Sequence, residues 1–133
     1  GVQLEAPPEF MLVMSTNPGY QSLVKELKPS TRQRFLWLDF DYPPEEAEAA
    51  IVRKESGCPA ALAVKLVHIA HGARRLKERG LPEGLSTRLL VLAGKLAQTG
   101  IAPSRACEVA FVRALSDDPS MQEAIRALVH DQF

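Results

Sequence analysis

The sequence is short of the features that mark most specialised proteins. It contains only two cysteines, Cys58 and Cys107, which is no basis for a disulfide framework. In a chain able to build its own core, two such thiols read as reduced, buried packing residues. Neither sign of charge is in excess: 16 Lys and Arg balance 16 Asp and Glu. Bulk attraction to acidic polymers, nucleic acid among them, is therefore disfavoured. No apolar run reaches the ~18 residues that argue for a membrane span. The N-terminus has neither the basic region nor the apolar core of a secretory signal, so the expected compartment is the cytoplasm. A Gly-x-x-x-x-Gly-Lys-Ser/Thr loop, which cradles nucleotide phosphates, is also missing. What remains is ordinary globular material, with 133 residues of which 46% are hydrophobic. A domain of that length buries roughly 68% of the surface of its unfolded chain.

Strand-like and helix-like stretches are segregated along the chain. Phe10-Met11-Leu12-Val13-Met14 is continuously apolar and stops at Ser15-Thr16-Asn17-Pro18-Gly19, the pattern of a strand buried on both faces of a parallel sheet. Phe35-Leu36-Trp37-Leu38-Asp39-Phe40, closed by Tyr42-Pro43-Pro44, reads as a second strand. Between them, Ser30 and Gln33 have the spacing of a capping box that would start a short helical turn carrying Arg32 and Arg34. A lone two-strand sheet is marginal in water, so this part calls for partners that the sequence does not contain.

From Pro43, the expected hinge, helices follow one another with clear punctuation. The first is expected over 45–55 with Gly57 as its stop, and Glu45, Glu46 and Glu48 complementing its dipole. The second places Leu62, Leu66, Ile69, Ala73 and Leu76 on one face before Gly80. The third takes Ser86 or Thr87 as cap and ends at Gly100. The fourth begins at Pro103 and is expected to bury Ala106, Val109, Ala110 and Val112. The fifth follows Asp118-Pro119 and packs Met121, Ile125 and Leu128.

A few polar residues stand where chemistry is possible. Asn17 lies just beyond the carboxyl end of the first apolar run, the edge at which ligands bind in open α/β sheets, although a turn residue before Pro-Gly reads the same way. Arg32 and Arg34 are set to reach an outside anion or to form surface ion pairs. Arg88, in the first turn of the third helix, opposes the helix dipole; a carboxylate or phosphate there would compensate, and a solvated arginine fits as well. His68 and His71 are one turn apart, but no third ligand is spaced to complete a zinc site, so no metal ligand is assigned. Arg74, Arg75, Lys77 and Arg79 read as a solvated basic helix end, and nucleic-acid binding would need such residues on other elements too. Asp39 and Asp41 imitate a magnesium-binding strand end without the accompanying phosphate loop.

Taken together, Ser15-Thr16-Asn17-Pro18-Gly19-Tyr20-Gln21-Ser22, Leu27-Lys28-Pro29-Ser30-Thr31-Arg32-Gln33-Arg34-Phe35 and Gly84-Leu85-Ser86-Thr87-Arg88-Leu89-Leu90 resemble, in this order, the C-terminal part of a MoxR-type AAA+ ATPase of the CbbQ/NirQ/NorQ branch. Ala106-Cys107 and Ser116-Asp117-Asp118 extend the resemblance over nearly the whole chain, while Thr16 stands where some members have an aromatic residue. The resemblance implies a mostly α fold with an α/β remnant. Residues 1–42 would be the end of the nucleotide-binding subdomain and residues 43–133 the all-helical lid with its C-terminal helix. It implies Asn17 as sensor 1, Arg34 as an arginine finger acting in trans, with Arg32 the weaker candidate, and Arg88 as sensor 2 on ATP phosphates. The P-loop and magnesium-binding acid of such proteins lie upstream, so the chain reads as part of a longer ATP hydrolase, inactive by itself. ATP and Mg²⁺ would belong to the intact protein and bind this chain alone no more than weakly. Implied partners are further copies in a ring, usually a hexamer, a protein carrying a von Willebrand factor A domain, and a target such as Rubisco or nitric oxide reductase. The competing expectation is a non-catalytic helical protein-interaction module.

Overall fold

A computed structural model of the chain describes residues 5–15 and 28–133. The chain divides into two units, Gly1–Phe40 and Asp41–Phe133.

In the first unit, the described residues hold one regular element, α1 (Pro29–Arg32), and a turn closed by the Phe10 amide donating to the Pro7 carbonyl at 3.0 Å. The expected capping box does not form. Lys28 is the N-cap, Ser30 lies inside the helix, and no side chain makes a cap hydrogen bond. Pro29, with its φ preset for the first helical position, starts the turn instead. The two expected strands are also absent: 10–14 and 35–40 are irregular, and no strand occurs among the described residues. A strand must pair its backbone groups with a neighbour, and two short strands alone cannot bury enough apolar surface to hold together. The α/β remnant of the expected fold class is therefore not seen. Met11 and Val13 are each 80% exposed, Leu36 99% and Phe40 91%.

The second unit is helical throughout its regular elements. α2 (Glu45–Ser56) opens with Glu45, Glu46 and Glu48 and ends where Gly57 takes φ 74°, a left-handed conformation that glycine adopts without a Cβ clash. α3 (Ala60–Arg75) continues as a 3₁₀ turn over Leu76–Arg79. Leu66, Ile69 and Ala73 of its predicted stripe are buried, with Leu62 and Leu76 packed partly against the same core. α4 (Thr87–Gln98) crosses both α2 and α3. Its approach to the end of α2 is close: a Cβ on Gly94 would lie 2.6 Å from the Ser56 hydroxyl oxygen, so only glycine fits without a shift. Leu81 and Leu85, in the connection from α3 to α4, are also buried, which fixes a segment that has no regular structure of its own.

α5 (Pro103–Cys107) passes into a π-helical segment, Glu108–Val112, and then into α6 (Arg113–Leu115). The expected burial of Val109 fails here: it is 59% exposed, while Phe111 is fully buried. Ala106, Ala110 and Val112 of the expected face are buried, but the wider i→i+5 turn shifts the register locally, so Val109 turns to solvent and Phe111 takes an inward position. α7 (Pro119–His130) is capped by Asp118, whose carboxylate accepts the Ser120 amide at 2.9 Å, and it buries Ile125 and Val129. Cys58 and Cys107 are unpaired and buried, and burial pushes the Cys107 thiol up to about 12.

Candidate functional site

The start of α4 is where an apolar scaffold meets a polar cluster. On α2, Glu48, Val52 and Ser56 share one face at four-residue spacing, and that face packs inward, so a carboxylate is carried into the core. Its side chain is 0% exposed. From α3 the Arg74 guanidinium meets it in a two-pronged contact, Nη1 to Oε2 at 2.8 Å and Nη2 to Oε1 at 2.6 Å. The Thr87 hydroxyl donates to the same Oε1 at 2.6 Å, and Arg74 Nε donates to the Leu85 carbonyl at 2.9 Å. Burial alone would raise the Glu48 carboxyl. The hydrogen bonds from Arg74 and Thr87 and the charges of Arg74 and His71 outweigh it and hold the group below the ordinary carboxylate value. Glu48 is thus an ion in the protein interior, tolerated because three hydrogen bonds and the Arg74 charge meet its two oxygens.

The surroundings extend this arrangement. The Tyr42 ring covers the Arg74 guanidinium at 3.5 Å, and a Cβ on Gly84 would approach the Tyr42 hydroxyl oxygen to 2.8 Å. His71 places Nδ1 3.1 Å from Glu45 Oε1, while its buried Nε2 has no hydrogen bond and lies 3.9 Å from Glu48 Oε2. His68 Nε2 is 3.8 Å from Glu45 Oε2. The two histidines therefore face a shared glutamate. Among the described residues, no group of three or more His, Cys, Asp or Glu is placed to hold a metal ion.

Arg88 follows Thr87 in the first turn of α4. It is exposed and joins no ion pair among the described residues. Successive residues of a helix point about 100° apart, so Thr87 can reach inward to Glu48 while Arg88 faces water. In the other unit, Arg32 lies 5.5 Å from the Trp37 ring centre, and its carbonyl accepts the indole N–H at 3.2 Å. Arg34 is exposed in the turn after α1, where its amide donates to the Thr31 carbonyl at 3.1 Å. Asn17 lies outside the described residues. The structure therefore brings Arg88 next to a built polar cluster, whereas Arg32 and Arg34 stand on a short turn of the first unit.

Two members of the cluster escape the sequence reading. Arg74 belongs to the expected solvated helix end, yet its side chain is only 12% exposed because Glu48 and Tyr42 enclose it. Glu48 is expected from sequence only to complement the α2 dipole. The available signal is spacing: Glu48 is four residues before Val52, and Arg74 four after Ala70, so each charge stands on a core-facing stripe.

Comparison with known proteins bears on the whole helical unit. A family model described as CbbQ/NirQ/NorQ C-terminal matches residues 48–132, a span that includes Glu48, Arg74, Thr87 and Arg88. The protein CbbQ of Hydrogenophilus thermoluteolus is 53% identical over 133 residues, covering 100% of this chain and 50% of the relative. The denitrification regulatory protein NirQ of Pseudomonas aeruginosa is 52% identical over 129 residues, 97% of this chain and 50% of its own length. The protein NorQ of Paracoccus denitrificans is 46% identical over 128 residues, covering 96% of this chain and 47% of the relative. The chain thus spans about half the length of the curated relatives it matches.

Proposed function

The chain belongs to the CbbQ/NirQ/NorQ family, and from this premise we propose that it is the sensor and lid portion of an ATP-driven remodelling chaperone of the AAA+ class. The intact protein would use ATP hydrolysis to activate a target enzyme, with Rubisco and nitric oxide reductase the candidates. The observation that carries this reading is the exposed arginine presented at the start of α4 by a buried polar cluster. A cation on a rigid helix start, with its charge unspent on a neighbouring carboxylate, is suited to meeting phosphate oxygens.

In this reading Arg88 is sensor 2 and contacts the phosphates of nucleotide bound to its own subunit. Asn17, a neutral side chain that both donates and accepts, is sensor 1 and orients the attacking water. Arg34 is the finger offered to nucleotide on the neighbouring subunit of a ring, usually a hexamer. There it stabilises charge spreading over the transferred phosphoryl group, an effect worth ~10³-fold or more in rate. Arg34 suits the task better than Arg32, which is engaged with Trp37. ATP and Mg²⁺ bind the intact protein, and no described residue is assigned to the magnesium ion. A protein with a von Willebrand factor A domain is the proposed partner, and the cytoplasm the proposed site of action. No helix of the described structure is long and apolar enough to cross a membrane.

The test is made in the full-length protein. Arg34→Ala is expected to abolish ATP turnover while nucleotide still binds. A normal rate in that variant removes the finger assignment, and a full-length protein that neither binds nor hydrolyses ATP leaves the non-catalytic interaction module in its place.

A further inference from the structure

We propose that Glu48 and Thr87 are positioning residues for Arg88: the bond between the Thr87 hydroxyl and the buried Glu48 carboxylate sets the helix start from which Arg88 meets nucleotide phosphates. The inference rests on the reading of Arg88 given above and extends it to two residues that do not touch nucleotide.

The first observation is that the start of α4 has no local side-chain cap. Ser86 is its N-cap, but the Ser86 side chain makes no cap hydrogen bond. A serine in that place ordinarily satisfies one of the free amides of the first turn and so defines where the helix begins. Here the residues on either side of the cap are held by long-range bonds instead. The Leu85 carbonyl accepts from Arg74, and the Thr87 hydroxyl donates to Glu48, a residue 39 positions away.

The second observation is that the anchor is rigid. Glu48 is wholly enclosed, and both its oxygens are occupied by Arg74. Arg74 is in turn covered by Tyr42 and bonded to Leu85, whose side chain is 0% exposed. A hydroxyl bonded to a carboxylate that cannot turn fixes both the rotation and the axial position of the first turn of α4. Arg88 is the next residue, so its Cα is ~3.8 Å from that of Thr87 and inherits the placement. A long arginine side chain engages an anion most strongly when its base is already set, because less freedom is lost on binding.

A merely structural contact and a positioning contact differ in how their losses combine. If Thr87 acts through Arg88, removing Arg88 first leaves Thr87 nothing to position. The experiment measures the Kd of a fluorescent ATP analogue for the full-length protein, together with ATP turnover and the thermal midpoint. Arg88→Ala is expected to weaken binding. Thr87→Val, which keeps the shape of the side chain and removes its hydroxyl, is expected to weaken binding roughly ten-fold, the size of one hydrogen bond to a charged group. The double variant should bind no worse than Arg88→Ala alone, and Thr87→Ser should restore the wild-type Kd. Wild-type binding by Thr87→Val, or losses that multiply in the double variant, would overturn the inference while leaving the role of Arg88 intact. Unchanged binding by Arg88→Ala would remove that role and the inference with it. Should Thr87→Val not fold, Thr87→Ala takes its place in the same cycle, where losses that fail to multiply support the inference and losses that multiply overturn it.

Discussion

The two units of this chain contain apolar side chains of the same kind and use them in opposite ways. In the second unit Leu90 and Phe111 are 0% exposed, and even a carboxylate is drawn inside and satisfied there. In the first, Leu36 and Phe40 lie almost fully in water, and among the described residues an arginine stands beside an exposed tryptophan. Hydrophobicity alone therefore does not make a core. The helical unit succeeds because each helix satisfies its own backbone and needs its neighbours only for side-chain packing. The stretches 10–14 and 35–40 would need partner strands for their amides and carbonyls before their side chains could be buried.

The largest expected break in this contrast comes from the centre of the helical unit. Phe111→Ala should cost about 3–5 kcal/mol in urea unfolding, the usual loss for truncating a buried phenylalanine. A small loss would mean that the core is not the source of the unit's stability. Next in size is the buried ion. Glu48→Gln keeps one acceptor oxygen and should cost about 1–3 kcal/mol at neutral pH. Because the folded carboxyl is held below its ordinary value, its contribution is present above the unfolded value of about 4.3 and is lost as pH falls through the lower folded value. Wild type and Glu48→Gln should therefore converge in stability at acid pH, and a constant gap across the titration would contradict the pairing. The smallest effect belongs to the other unit: Leu36→Ala should change stability by less than ~0.5 kcal/mol, since the side chain already lies in water. A larger loss would show that the exposed segment contributes to folding after all.

Features that depend on neighbouring residues are legible in the sequence. Gly57, Pro103 and Asp118-Pro119 mark helix ends in the structure as they do in the sequence, because caps and stops are settled within one turn. Arg88 likewise stands at a helix start in both. What escapes depends on distant partners or on a local departure from the usual period. Val109 is misassigned because a π segment leaves no mark in hydrophobic spacing. Arg74 is misassigned because its partner is 26 residues away. The strand reading at 10–14 and 35–40 follows composition, but the pairing that makes a strand is not contained in composition.

The wide sequence spacing of the Glu48 contacts also bears on the order of folding. Its bonds to Arg74 and Thr87 span 26 and 39 residues, so they close only after α2, α3 and the start of α4 have come together. Contacts that close late are largely absent from the transition state, and losing one speeds escape from the native basin more than it slows arrival. In a chevron measurement, Glu48→Gln should therefore raise the unfolding arm and leave the refolding arm nearly in place. The carboxylate then acts as a kinetic latch, setting how long the assembled helical unit persists before it unfolds.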